Sequence, residues 1–231
     1  MSDFVNTIDV LGDEEVLDSL IDRSVTEMND DVLNILAEFA FAGCASLISV
    51  NLPSVRTAKE QVFSNCSKLT DVNLPSLTSF GGYAFYNCTN LKNLNCPSLT
   101  AIGAEVIMNC NSITSIKFPL LSSVGYGHIK GCKKLAYIEY GLRVSFGDTT
   151  FNDCTALTAL VLRSETMCNA TVSILNNTPI ASGTGYIYVP SALIDSYKAA
   201  TNWSTYATQF RALEDYTVDG TITGELDESK I

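Results

Sequence analysis

Residues 84–97 read AFYNCTNLKNLNCP, and this stretch decides the fold because its pattern returns along the chain at a fixed spacing. The position of Cys88 is occupied by cysteine every 22 residues, at Cys44, Cys66, Cys88, Cys110, Cys132 and Cys154. Six cysteines at one spacing indicate an internal repeat. A unit this short cannot bury an apolar face alone, so the units must stack to form a continuous core.

The other apolar positions of the unit predict its local structure. Around Cys88 they are Phe85, Leu91, Leu94 and Cys96. The alternation at Leu94 and Cys96 predicts a short strand, which Pro97 ends because proline cannot donate to a strand ladder. The spacing of three from Phe85 through Cys88 to Leu91 predicts one helical or 3₁₀ turn on the opposite side. The sequence therefore predicts an α/β solenoid, with six units over residues 37–168.

The repeat unit resembles the bacterial surface-antigen type of leucine-rich repeat, called BspA-like. The resemblance rests on residues 84–91 followed by Leu94-Asn95-Cys96-Pro97, and it covers about residues 37–190. Tyr186 to Pro190 also resembles the closing unit of that family. The resemblance implies a leucine-rich repeat fold and an adhesive or interaction role, as in family members that are surface-exposed or carried by phages.

The open N-terminal end of a solenoid needs a cap, and residues 1–36 are interpreted as an acidic helical cap or docking segment. The segment Asp13–Ile21 is amphipathic and carries acids at its start, where they suit a helix dipole. We expect a second short helix after Asn29, a good N-cap residue, with apolar Val32, Leu33 and Leu36.

At the other end, residues 169–213 are interpreted as a closing unit and C-terminal cap. Tyr186–Val189 predicts a last strand, and Pro190 opens a predicted helix. Trp203, the one tryptophan of the chain, is expected to pack on the last coil. The acidic residues 214–231 predict a mobile tail.

Charge narrows the classes of partner. The formal net charge is −11, with −10 in residues 1–38, −4 in residues 206–231 and +3 between them. This negative charge disfavours nucleic acids and anionic membranes as partners, because a protein that binds them needs a basic face. No apolar run approaches the ~18 residues of a membrane span. Residues 1–20 contain no lysine or arginine and no apolar core, so we expect no signal peptide. The expected location is cytoplasmic as synthesised, or virion or cell surface by a non-classical route.

The cysteines and the single histidine are better explained by structure than by chemistry. A ladder of small buried side chains accounts for the cysteine column, and Cys96 and Cys168 fill other core columns. Disulfides or zinc are the alternative, but closely spaced ligand pairs such as C-x₂-C do not occur. His128 stands at a variable position without a triad pattern. We therefore expect no catalytic residues, cofactor or metal.

The positions that the repeat leaves free are the candidate binding surface, since repeat proteins commonly bind through their extended strand face. The candidates are Asp71, Asn73, Lys92, Asn93, Lys117, Tyr137 and Glu139. Tyr137, with Lys117 and Glu139, is the predicted hot spot. The alternative interpretation is a solvated face without a ligand.

Two functions remain open. The first is a non-enzymatic binding or adhesion module for a protein or glycan, with one variant a phage or prophage virion protein docked through residues 1–36. The second is a structural, self-assembling protein whose N-terminal segment or coil ends make the oligomer contacts.

Overall fold

The structure is a computed structural model and describes residues 24–31, 33–215, 217–218 and 221–222. Its main feature is a solenoid of stacked coils joined by parallel strands. The first strand ladder consists of β1 (Glu27–Asn29), β3 (Ser49–Asn51), β5 (Asp71–Asn73), β7 (Asn93–Asn95), β10 (Ser115–Phe118), β13 (Tyr137–Tyr140), β15 (Ala159–Leu162), β17 (Tyr186–Val189) and β18 (Phe210–Ala212). This ladder divides into two sheets, β1-β3-β5-β7 and β10-β13-β15-β17-β18. Val50 pairs with Val72, and Val72 with Leu94, which confirms the 22-residue frame.

A second ladder follows the proline turn of each unit. It consists of β2 (Ile35–Leu36), β4 (Thr57–Ala58), β6 (Ser79–Phe80), β8 (Ala101–Ile102), β11 (Ser123–Val124), β14 (Ser145–Phe146) and β16 (Asn169–Ala170). Each strand is only two residues long, and its second residue points into the core, as Ala58 and Phe80 do. The coil therefore has two strand sides where the sequence pattern predicted one.

The third side of the coil differs from the predicted helical or 3₁₀ turn. It is built of turns, with one short strand pair, β9 (Ile107–Met108) and β12 (Ile129–Lys130). Its backbone hydrogen bonds run mainly between coils: the N–H of Phe63 donates to Ala84 O at 2.9 Å, and that of Asn65 to Tyr86 O at 2.8 Å.

Left-handed backbone explains why no helix forms on this side. The residues five and one before each repeat cysteine have positive φ, for example Tyr83 at 56° and Asn87 at 59°. Such residues interrupt a right-handed helix. They orient successive backbone N–H groups along the solenoid axis, and these groups donate hydrogen bonds to backbone carbonyls of the next coil. We call this turn segment with left-handed residues the arch. The spacing of Phe85, Cys88 and Leu91 fits the arch as well as it fits a helical turn, so the sequence pattern could not distinguish the two structures.

The core is filled by side-chain columns that repeat from coil to coil. Phe41, Phe63 and Phe85 stack with ring centroids 5.4 and 5.3 Å apart. All eight cysteines are buried, which confirms their predicted role as core side chains. The thiols of Cys66, Cys88, Cys110 and Cys132 donate hydrogen bonds to backbone carbonyls of the preceding coil, and Cys88 Sγ lies 3.0 Å from Phe63 O.

At the N-terminal end, the predicted second helix after Asn29 is wrong. Glu27–Asn29 forms β1 and Ile35–Leu36 forms β2, and the two strands continue both ladders by pairing with β3 and β4. Asp30 Oδ1 accepts from the N–H of Leu33 at 2.7 Å, so the acid closes a turn between the strands. Backbone pairing with the next coil outweighs the local helix signal here, because helical propensity is a weak preference. The predicted helix Asp13–Ile21 lies outside the described residues.

At the C-terminal end, β17 is followed by a 3₁₀ turn at Ser191–Leu193 and the helix α1 (Ile194–Ala199). Trp203 is buried, and its Nε1 donates to Cys168 O at 2.9 Å. A further 3₁₀ segment, Ser204–Gln209, leads into β18, a strand that the sequence analysis missed.

The predicted mobile tail begins with a 3₁₀ turn at Leu213–Asp215. Beyond it the structure describes an antiparallel pair, β19 (Thr217–Val218) and β20 (Thr221–Ile222). The other residues of the tail lie outside the described part of the chain.

Candidate ligand-binding surface

The outward positions of β3, β5 and β7 form a row of carboxamides. Asn73 Nδ2 donates to Asn51 Oδ1 at 2.7 Å, and Asn95 Nδ2 donates to Asn73 Oδ1 at 2.6 Å. Strand alternation places these side chains on the solvent side while Val72 points inward. We call Asn51, Asn73 and Asn95 the carboxamide row. Its hydrogen bonds hold the amides in one orientation at the surface.

A second row runs beside it, from Asp71 to Asn93. Asn93 Nδ2 donates to Asp71 Oδ1 at 2.6 Å, and the hydroxyl of Thr70 donates to Asp71 Oδ2 at 2.5 Å. These hydrogen bonds, and to a smaller extent the charge of Lys92, lower the pKa of Asp71. Asp71, Lys92 and Asn93 are exposed. The first sheet thus presents a polar, preorganised surface with a carboxylate and an ammonium group.

The predicted hot spot lies in the second sheet and is mostly buried. Tyr137 is 9% exposed and Glu139 is 8% exposed. The Tyr137 hydroxyl donates to one oxygen of Glu139, and Arg163 Nε forms an ion pair with the other. Lys117, the register partner of Glu139, is half-buried. These contacts join β13 to β15 and leave Tyr137 and Glu139 little surface to offer a ligand.

The seven predicted residues therefore fall into two groups. Asp71, Asn73, Lys92 and Asn93 lie together on β5 and β7 or directly beside them. Lys117, Tyr137 and Glu139 lie in the other sheet of the ladder. Only the first group combines neighbouring positions with exposed or half-buried side chains.

Sequence reasoning missed an aromatic and cationic cluster at the end of the ladder. Arg211 Cζ lies 4.3 Å from the ring centroid of Tyr186, which is a cation–π contact. The ring centroids of Tyr186 and Tyr188 are 6.3 Å apart. Tyr186 is 37% exposed. The alternation of Tyr186 and Tyr188 was a signal for an outward aromatic pair. Arg211 gave none, because β18 itself was not recognised.

The described residues contain no group of three or more His, Cys, Asp or Glu side chains that could hold a metal ion. His128 is fully buried.

No helix among the described residues is long and apolar enough to cross a membrane.

Residues 34–158 and 98–184 match the family model of the BspA type leucine rich repeat region, with six copies. The chain belongs to this family. The BspA-type assignment accords with the coil geometry, in which the positions of Phe85, Cys88 and Leu91 hold buried apolar side chains in each unit. No curated protein matches this BspA-type chain.

Solved structures support the same fold. The chain is similar to a leucine-rich repeat protein from T. pallidum, with 27% identity, a TM-score of 0.58, and coverage of 71% of this chain and 75% of that one. It is also similar to a leucine-rich repeat protein from Bacteroides ovatus, with 21% identity, a TM-score of 0.52, and coverage of 72% of this chain and 51% of that one. The BspA-type chain thus spans about half the length of the B. ovatus protein.

Proposed function

We propose that this BspA-type protein is a non-enzymatic binding or adhesion module that recognises a protein or glycan through the strand face of its first sheet. The observation that carries the proposal is the carboxamide row, with Asp71 and Asn93 beside it. A ligand that meets side chains already held in place loses less conformational entropy on binding.

The face suits a polar ligand edge, because amide groups both donate and accept hydrogen bonds. Asp71 adds an acceptor and Lys92 a donor of opposite charge, so their charges are balanced. Hydroxyl groups of a glycan and backbone groups of a peptide both meet this requirement. We therefore keep protein and glycan as the two ligand classes of the proposal.

A blocking substitution tests the proposal. Asn93→Arg places a long charged side chain on the exposed strand face, whereas Ser122→Arg places the same side chain at an exposed position beside β11. Both variants and the wild type are applied to a glycan array and to a pull-down from host-cell surface extracts. Loss of binding in Asn93→Arg with retention in Ser122→Arg is expected. Equal binding by all three proteins contradicts the strand-face proposal.

A second candidate is self-assembly through the ends of the solenoid. β18 is the last strand of its sheet in the described part of the chain, and exposed strand edges can pair with another chain. Light scattering over a range of concentrations tests this, and a monomer at high concentration rules it out.

We further propose that the acidic residues 1–36 dock the module to a larger assembly, such as a virion. Support comes from their excess of negative charge over the mildly basic repeat region. Deletion of residues 1–23 should abolish co-sedimentation with that assembly while the repeats stay folded.

A further inference from the structure

The third side of the solenoid carries an aromatic cluster that the strand-face proposal does not use. Tyr83 and Tyr86 lie on one coil with ring centroids 6.1 Å apart and an interplanar angle of 81°. Glu105 and Tyr126 come from the next two coils. We call these four residues the tyrosine cluster. Tyr126 is 55% exposed and the other three are half-buried, so the rings border solvent and do not belong to the core.

The backbone places Tyr83 and Glu105 at equivalent positions of adjacent coils. The position five before each repeat cysteine is left-handed in every unit, with φ of 56° at Tyr83 and 51° at Glu105. Successive units put this position in adjacent coils, about 4.8 Å apart. The core does not dictate which residue stands there, since Phe39, Gln61, Tyr83, Glu105, Gly127 and Thr149 occupy it in turn. An aromatic residue beside an acid at this position is therefore a feature of this chain and not of the repeat.

Polar contacts organise the cluster further. Hydrogen bonding toward Tyr126, and then the negative charge of Glu105, raise the pKa of Tyr83 to about 12, which puts both groups close to the Tyr83 phenol. Glu105 lies over the backbone of Gly127, where an added Cβ would be 3.4 Å from Glu105 Cγ. With glycine there, no side chain stands between Glu105 and the next coil. The Glu105 side chain is therefore close both to the Tyr83 phenol and to the backbone of the next coil.

We propose that the tyrosine cluster is a second ligand site, distinct from the strand face, and that it binds an uncharged glycan. An exposed tyrosine ring offers a flat apolar face against which the C–H groups of a pyranose can pack. The Glu105 carboxylate beside it accepts hydrogen bonds from sugar hydroxyls and repels acidic sugars. The phenol hydroxyls add further donors and acceptors at the rim.

The size of the cluster favours a glycan over a protein partner. It spans three coils, or about 10 Å along the solenoid. A stable protein interface needs about 800 Å² on each partner and a core of several apolar anchors. Within the tyrosine cluster, Tyr126 is the one large apolar side chain that is exposed. One exposed ring with a carboxylate matches one or two sugar units.

The test uses the full chain and neutral glycans as probes. Wild type, Tyr126→Ala, Glu105→Gln and Val172→Ala are compared on a neutral-glycan array and then by calorimetry with the best hexasaccharide. Tyr126→Ala is expected to weaken binding at least about tenfold, the effect of removing a central aromatic contact. Glu105→Gln is expected to weaken it less. Val172→Ala is the control, because it removes an exposed apolar side chain outside both the tyrosine cluster and the strand face, and binding is expected to stay unchanged.

Several outcomes overturn the proposal. These are the absence of binding to any neutral glycan, tighter binding of polygalacturonate than of neutral chains, or equal binding by wild type and Tyr126→Ala. A protein captured in a Tyr126-dependent manner without glycan binding overturns the ligand class. Loss of glycan binding in Asn93→Arg but not in Tyr126→Ala supports the strand face and overturns the second site, so the two proposals fail independently. Equal urea midpoints for all variants exclude misfolding as the cause.

Discussion

His128 and Tyr140 form a hydrogen bond inside the core, with His128 Nε2 2.7 Å from the Tyr140 hydroxyl. The other ring nitrogen, Nδ1, lies 3.2 Å from Gly125 O. A carbonyl only accepts, so Nδ1 carries the proton and Nε2 accepts from the Tyr140 hydroxyl. Both side chains are fully buried. The histidine that the sequence placed at a variable position is therefore a satisfied core residue.

Stability should fall in acid because of His128. Burial lowers its pKa from 6.5 to about 3. Between these values the unfolded chain takes up a proton that the folded chain does not, so stability decreases as pH falls from 6.5 towards 3. The contribution of one such group is about 1.4 kcal/mol per pH unit. Urea unfolding between pH 6.5 and 4 measures the slope. His128→Gln, which keeps an acceptor for Tyr140, should show a shallower slope, and equal slopes contradict the assignment.

A second asparagine column should stabilise the third side of the coils. Asn87 Nδ2 donates to Asn65 Oδ1 at 3.2 Å, and Asn109 Nδ2 donates to Asn87 Oδ1 at 3.0 Å. Asn87 also has a φ of 59°. Asn87→Ala loses both hydrogen bonds and forces alanine into a left-handed conformation, at a total cost of about 2 kcal/mol.

The matched control is Asn87→Gly, which loses the same hydrogen bonds but adopts positive φ without steric cost. It should cost about 1 kcal/mol, since only the hydrogen-bond contribution is lost. The free energy of unfolding in urea gives both values. A glycine variant as unstable as the alanine variant would show that the backbone conformation contributes nothing.

The cysteines should be unreactive in the folded protein. All eight are buried, and burial raises the pKa of Cys66 to about 12. The thiolate is the reactive form, and little of it exists at neutral pH. Iodoacetamide followed by intact-mass measurement should show no adducts in the native state and eight in denaturant. Rapid native labelling of a repeat cysteine would contradict the closed stack.

Glu139 should matter for stability more than for binding. Its carboxylate receives the Tyr137 hydroxyl and the Arg163 guanidinium. Glu139→Ala removes the shared acceptor of these two donors in a mostly buried setting, which we expect to cost about 2 kcal/mol. Lys92→Ala at an exposed position should change stability by less than about 0.5 kcal/mol. Thermal melts compare the two, and a neutral Glu139→Ala would return this residue to the list of candidate ligand contacts.

The sequence by itself determined the period, the stacking direction and the core. Val72, Cys88 and Leu91 recur because each coil must bury the same positions against its neighbours, and such a constraint is visible in one chain. The outward positions carry no such constraint. Their identities are plain in the sequence, but whether Asn73 lies open or Tyr137 lies buried depends on what the neighbouring coils place beside them.

Only the tertiary structure decided the third side, the ends and the exposed sites. The spacing of Phe85, Cys88 and Leu91 fits both a helical turn and an arch of left-handed residues, and hydrogen bonds between coils select the arch. Glu27–Asn29 and Ile35–Leu36 follow the two ladders because an adjacent strand pairs with their backbone. The tyrosine cluster joins residues from three coils, and that proximity is a property of the stacked solenoid, not of any single unit.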